Sequence, residues 1–284
     1  MTGAAADGRS RPHGVRVLKN GAKRVDTAVV EPSRATVVEL PVREAVRPQP
    51  ISRWRQPLPR RGPCDRAEFL LDLCAGKRVA HVGFVDERRT EDKLEAGTWL
   101  HARIAEVADS IVGLDLSADG VSWARGCGFE AYAVDAQSPE DIAALDLEPA
   151  DVVVAGEIIE HLDAPGPFLR AMRALVRPDG QLVVTTPNAY RLLNFLAPAS
   201  GNELIHPDHT AWHSPHTLRN LLTRSGWDVE GIAYYQNPAP KLRGPLRPVG
   251  RVLRAGFVTA GRLAPYWSDG LIVWSHPREG PAPG

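Results

Sequence analysis

Cysteine is scarce. The three in 284 residues, Cys64, Cys74 and Cys127, stand far apart with no CxxC or Cys/His ligand spacing, which excludes a disulfide framework and a thiolate zinc site and fits a reduced cytoplasm. Long apolar runs are missing too. No stretch approaches the roughly 18 residues needed to span a bilayer, and the N-terminus has no apolar core of signal-peptide length. The expectation is therefore a cytoplasmic chain with no transmembrane segment. Excess charge of either sign is also absent: 34 lysines and arginines balance 34 aspartates and glutamates, so nothing global draws the chain to DNA, RNA or a membrane surface.

What is present divides unevenly. Residues 1–62 carry many arginines and prolines with little apolar periodicity, as in Arg47-Pro-Gln-Pro50 and Pro57-Leu-Pro-Arg-Arg61, and read as a basic, disordered extension with one short strand candidate at 35–40. From residue 63 to 276, short apolar runs alternate with helical patterns, the mark of βα units on a parallel sheet. Strands are predicted at 78–82, 110–114, 130–134, 151–155, 181–186, 227–235 and 271–274. Helices are predicted at 66–73, 92–108, from 120, at 167–176 and at 215–225. Arg177-Pro-Asp-Gly180 reads as the turn that stops the fourth of these helices. Residues 240–265 read as a helical insertion in which Arg243, Arg247, Arg251 and Arg254 recur at helical spacing, with Arg262 beyond. Residues 277–284 read as a tail. The fold class is α/β, a doubly wound, mostly parallel, seven-stranded Rossmann-like sheet with a reversed edge strand and helices on both faces.

In such a sheet, ligands bind beyond the carboxyl ends of the strands. The run from Asp151 to Leu162 is a β-branched strand that ends in Glu157, Glu160 and His161. Asp115 follows the second strand, where a carboxylate can accept from both hydroxyls of a ribose; its place directly after an apolar run favours that role over capping the next helix with Ser117. Asp135 ends the third strand, within reach of an adenine amino group. Together they outline an adenosyl pocket. A nicotinamide-dependent oxidoreductase would share this fold, but GxGxxG is absent after the first strand.

At this point the sequence resembles the class I S-adenosylmethionine-dependent methyltransferases, in particular the small-molecule O-methyltransferases of the ubiquinone-biosynthesis type. The resemblance runs from about residue 76 to 274. It is carried by Gly156-Glu-Ile-Ile-Glu-His-Leu162, by the stretch from Val176 to Asn188, and by His209-Thr-Ala-Trp-His-Ser-Pro-His-Thr-Leu218. It implies an enzyme that takes S-adenosyl-L-methionine as cofactor and moves its methyl to a hydroxyl, or to an amine or carbon, of a small metabolite. By the same resemblance, Asp115 with Leu116 and Asp135 with Ala136 hold the adenosyl end. Gly83, Phe84 and Glu157 border the methionyl end, with Glu157 nearest the sulfonium.

His161 is the candidate general base, since an imidazole titrates near neutrality; the alternative is a hydrogen bond to a neighbouring loop. Residues 188–214 become a lid that places His209, Trp212 and His213 on the acceptor. His206, Asp208, His209, His213 and His216 crowd together as metal ligands do, but Pro207 and Pro215 break the helix such spacing would need, so no metal is assigned. One departure stands out: the first loop reads His81-Val-Gly-Phe-Val-Asp86, keeping a single glycine where the family has several. Trp99 or His101 is expected to fold toward the cofactor in compensation. A catalytically inactive binding protein and an RNA-directed methyltransferase are the alternatives.

Overall fold

The computed structural model describes residues 54–86, 89–237, 256 and 259–279. Contacts divide the chain into Met1–Arg55 and Gln56–Gly284, and the described residues belong almost entirely to the second unit. The strand expected at 35–40 and the arginines from 243 to 254 lie outside them. The elements run β1 (Pro63–Cys64), α1 (Arg66–Cys74), β2 (Arg78–Val82), α2 (Thr90–Glu95), α3 (Leu100–Ala105), β3 (Ser110–Asp115), α4 (Ala118–Gly126) and β4 (Ala131–Ala133). They continue with α5 (Pro139–Ala144), β5 (Ala150–Gly156), α6 (Pro165–Leu175), β6 (Val176–Pro187), α7 (Leu192–Leu196), α8 (Pro215–Arg224), β7 (Trp227–Tyr235) and β8 (Gly270–Pro277).

The sheet has the order β1-β7-β8-β6-β5-β2-β3-β4. Every pairing is parallel except those of β8, which runs against both β6 and β7. Eight strands replace the expected seven because Pro63 and Cys64 add a short parallel pair to the outer edge of β7. Central β5 explains the layering. Val153 and Ala155 face one core with Phe168, Met172 and Leu218, while Val152 and Val154 face a second with Leu70 and Ile104. A strand buried on both faces has to be apolar, as this one is from Val152 to Ala155.

Helix starts follow their caps. The Asp65 carboxylate accepts from the amides of Ala67 and Glu68, and Ser214 forms a capping box with Thr217 ahead of Pro215. Two expectations are corrected. The helix expected over 92–108 is broken in two, because Gly97 adopts φ +62° and the amides of Thr98 and Trp99 both turn back to the Lys93 carbonyl. Residues 177–180 are no turn: α6 passes directly into β6, which pairs Val176 with Ala150 and resumes at Gln181 with Val152 after a register shift.

Candidate active site

Parallel pairing sets Val82, Leu114 and Ala155 in one row, so Gly83, Asp115 and Gly156 form a continuous rim at the carboxyl edge. This is where the strand order reverses, with β3 on one side of β2 and β5 on the other. Gly83 stands at φ +70°, and its amide donates to the Leu114 carbonyl at 2.8 Å. A Cβ there would lie 3.1 Å from Ile158 Cδ1. Gly83→Ala is therefore expected to destabilise the fold by about 1–2 kcal/mol, the cost of a side chain in the left-handed region. Denaturant midpoints test this, and an unchanged midpoint would show that the loop re-forms without that conformation.

The residue after Gly83 turns away from the rim. Phe84 is 2% exposed and packs with Trp99, Val121, Ala124 and Ala131, its ring filling the space where Gly113 lacks a side chain. Trp99 Nε1 donates to the Phe84 carbonyl at 2.9 Å. His101 is fully buried against His81, their Nδ1 atoms 3.3 Å apart. Burial lowers both imidazoles, that of His101 to about 3, and the His101 charge adds to the effect on His81.

Asp115 ends β3 half-buried. Its Oδ2 accepts from the Val85 amide at 2.9 Å and its Oδ1 from the Ser117 amide at 3.0 Å, while the Ser117 side chain caps α4. The same carboxylate thus pins the loop after β2. Asp135 lies two residues beyond the partner of Asp115 on β4 and accepts from the Gln137 amide at 2.9 Å. Leu116, between β3 and α4, is 74% exposed.

On the other side of β5 the carboxylates belong to a different network. Glu157 holds φ +55°, a conformation that costs a non-glycine residue on the order of 1 kcal/mol or more. The kink turns its Oε1 toward β6 and β7, where it accepts from Thr185 Oγ1 and Tyr235 Oη, both at 2.9 Å. Arg66 Nη1 on α1 lies 3.4 Å away. Glu160, in the 3-10 turn Ile159–His161, is 1% exposed and accepts from Thr186 Oγ1 at 2.9 Å. Burial first, and then the Glu157 charge, push its carboxyl up to about 8. Burial and the same Glu157 charge hold the Tyr235 phenol well above its usual range.

Residues 188–214 leave the sheet and return beside their own starting point. Asn188 pairs with His213 in a parallel bridge, and Asn188 Nδ2 donates to the carbonyls of Tyr266 and Ser268. Thr210 docks the far end, its amide and hydroxyl both donating to the Glu160 carbonyl. Within the excursion lies a cavity of about 620 Å³ lined by Ala189, Asn194, Pro198, Leu204 and Trp212 among others. The His209 ring sits 4.6 Å from that of His161.

A family model described as "Methyltransferase domain" matches residues 45–231, well over half of the chain. The chain belongs to the methyltransferase-domain family, among the class I S-adenosylmethionine-dependent enzymes. A "Ubiquinone biosynthesis O-methyltransferase" of Xanthomonas oryzae pv. oryzae (strain PXO99A) is 33% identical over 127 residues, covering 44% of this chain and 48% of that protein. The chain thus spans about half the length of that curated relative. A Mycolicibacterium smegmatis protein named "Probable S-adenosylmethionine-dependent methyltransferase" is 30% identical over 187 residues, covering 64% of this chain and 69% of its own. Among solved structures, a chain of the complex between the Haloferax volcanii Trm112 methyltransferase activator and a methyltransferase shares the fold. It aligns with a TM-score of 0.50 and 16% identity, over 75% of this chain and 89% of that one.

In this methyltransferase domain the expected site residues separate into those that face the rim and those that do not. Gly83, Asp115, Asp135 and Ala136 stand along one stretch of it. The Phe84 side chain is buried behind β2 and its carbonyl accepts from Trp99 Nε1. Trp99 and His101 likewise fold inward, because the break at Gly97 swings them onto Phe84. The Glu157 carboxylate accepts from Thr185 and Tyr235, with the Arg66 guanidinium 3.4 Å away. His213 is buried and is not among the residues that line the cavity. His216 lies within hydrogen-bond distance of the Pro57 carbonyl. Arg66, Thr185, Thr186 and Tyr235, which hold the two carboxylates, are the residues the sequence reading misses. Each is remote along the chain from the carboxylate it holds, and although Thr185 and Thr186 stand in the stretch from Val176 to Asn188, that pattern does not say which way they point.

Proposed function

We propose that this protein transfers the methyl of S-adenosylmethionine to a hydroxyl oxygen of a small metabolite, with residues 63–276 as the transferase unit and 188–214 as its acceptor lid. One observation carries the reading: β5 separates two unlike halves of a single rim. Half-buried carboxylates on adjacent β3 and β4 lie on one side, and an imidazole beneath a cavity-bearing lid lies on the other.

The first half suits the donor. Asp115 and Asp135 are acceptors whose positions are fixed by backbone amides, as recognition of ribose hydroxyls and an adenine amino group requires. Exposed Leu116 offers apolar surface beside them, Ala136 its backbone amide, and Gly83 a side-chain-free approach. S-adenosylmethionine supplies an electrophilic methyl on a sulfonium, so the protein's work is alignment, exclusion of water and relief of the acceptor's proton.

On the acceptor side, His209 lies against His161 and Trp212 against His209, and the His161 imidazole takes the hydroxyl proton as the oxygen becomes nucleophilic. Arg66, Thr185 and Tyr235 hold Glu157 in its kinked conformation and so fix the turn that carries His161. The O-methyltransferase named among the relatives supports a hydroxyl over an amine or carbon.

Incubating the protein with isotopically labelled donor and a metabolite extract is expected to yield a labelled O-methyl product by mass spectrometry. His161→Ala should lower its rate about 100-fold or more, the usual worth of a positioned base. No labelled product would sink the transferase reading, and label on nitrogen or carbon would sink the hydroxyl. Unchanged turnover of the alanine variant across pH 6–9 (about the range in which an imidazole base works) would remove His161 from the chemistry.

A further inference from the structure

The methyl-transfer reading uses one imidazole of a group of three. His161, His206 and His209 each offer a nitrogen, and the three nitrogens lie within 4.8 Å of one another. Their ring centroids are 4.6, 5.4 and 5.7 Å apart. The local sequence explains the approach. His206-Pro-Asp-His209 closes a turn in which the His209 amide donates to the His206 carbonyl at 3.1 Å, with proline and aspartate in the positions turns favour. Two imidazoles therefore face the same way, and Thr210 next to them docks on the Glu160 carbonyl and brings them onto His161.

The geometry points to a site for a borderline divalent cation such as Zn2+, held by His161, His206 and His209 and joining the lid to the rim of the sheet. Three neutral nitrogen donors suit zinc, cobalt, nickel or copper, whereas magnesium and calcium take oxygen. Three protein ligands also leave a fourth tetrahedral position open. An independent observation marks the same place: His209 Nδ1 is buried without a hydrogen-bond partner among the described residues, a cost that pairing or coordination removes. A tetrahedral zinc draws its nitrogens to about 3.3 Å from one another, so small side-chain rotations complete the site. Glu157 and Glu160 take no part, since Thr185, Tyr235, Arg66 and Thr186 hold them inward.

Coordination and proton acceptance compete for the same lone pair on His161. The ion-bound form is therefore one in which the lid is fastened and the base withheld, a consequence that rests on the base role proposed above; uptake of the ion does not. The test is titration of the metal-free full chain with Co2+, followed by the visible bands of four-coordinate cobalt, and with Zn2+ in competition. One ion per chain with those bands is expected. It should be lost in His206→Ala, a variant of an exposed lid residue outside the transfer machinery, and in His209→Ala. Circular dichroism and the midpoint of thermal unfolding check that both variants are folded. The absence of uptake by the unsubstituted protein, or equal uptake by folded His206→Ala, overturns the site. Donor binding, measured in the same samples, reports separately on the transferase reading.

Discussion

Asp115→Ala is expected to abolish tight binding of S-adenosylmethionine, lowering affinity about 100-fold or more. The arithmetic is that of two hydrogen bonds to a charged group, each worth about 1.5–3 kcal/mol, against about 1.4 kcal/mol per tenfold in affinity. The structure adds a second loss, because the same carboxylate anchors the Val85 amide and its removal frees the loop that follows Gly83. Asp135→Ala touches a single amide of its own turn and should cost less. Calorimetric titration of both variants decides the matter. Donor affinity in Asp115→Ala within threefold of the parent would place the adenosyl pocket elsewhere on the rim.

The second large effect concerns stability and pH. An unfolded Glu160 would release its proton near 4.5, but the folded carboxyl keeps it up to about 8. Between those values the folded state holds the extra proton, so stability falls as pH rises, by up to about 1.4 kcal/mol per pH unit. Glu160→Gln keeps an acceptor for Thr186 Oγ1 and removes the titration; it should abolish this slope and gain most over the parent near pH 8. His81 and His101 act in the opposite sense. Their folded pKa values lie below the ordinary 6.5, that of His101 at about 3, so their contribution is complete above 6.5 and is lost as pH falls beneath it. Denaturant melts from pH 5 to 8 (about the span of these titrations) on parent and Glu160→Gln separate the two effects, since only the acid limb should survive in the variant. Parallel curves over the whole range would mean that Glu160 is ionised in the fold.

The sheet was legible because burial on both faces forces a run such as Val152-Val-Val154, and no local alternative competes with it. Asp115 and Asp135 were legible for a related reason, as the first carboxylates after such runs. The direction of side chains was not. Being next to a strand end places a residue on the rim but leaves its rotation open. Phe84 goes inward because Gly113 leaves a space beneath it, and Glu157 goes sideways because Arg66 and Tyr235 wait on α1 and β7. Those partners are distant in sequence, so no local pattern announces them. The helix α5 passed unseen although Ser138 and Pro139 mark its start, because six residues show too little periodicity. Gly97 was visible, but a lone glycine inside a helical pattern is usually tolerated.

The paired anchors of the lid set how freely it can change. Asn188 and His213 meet at one point, Asn188 is riveted to Tyr266 and Ser268, and Thr210 docks on Glu160, so the domain holds the excursion at its ends and leaves the middle to vary. Doubling the length of a flexible loop costs only about 0.6 kcal/mol in closure entropy. On the reading proposed above, the stretch between the anchors is accordingly a cassette: exchanging residues 190–208, with Thr210 kept on the Glu160 carbonyl, is expected to change acceptor preference without changing donor affinity.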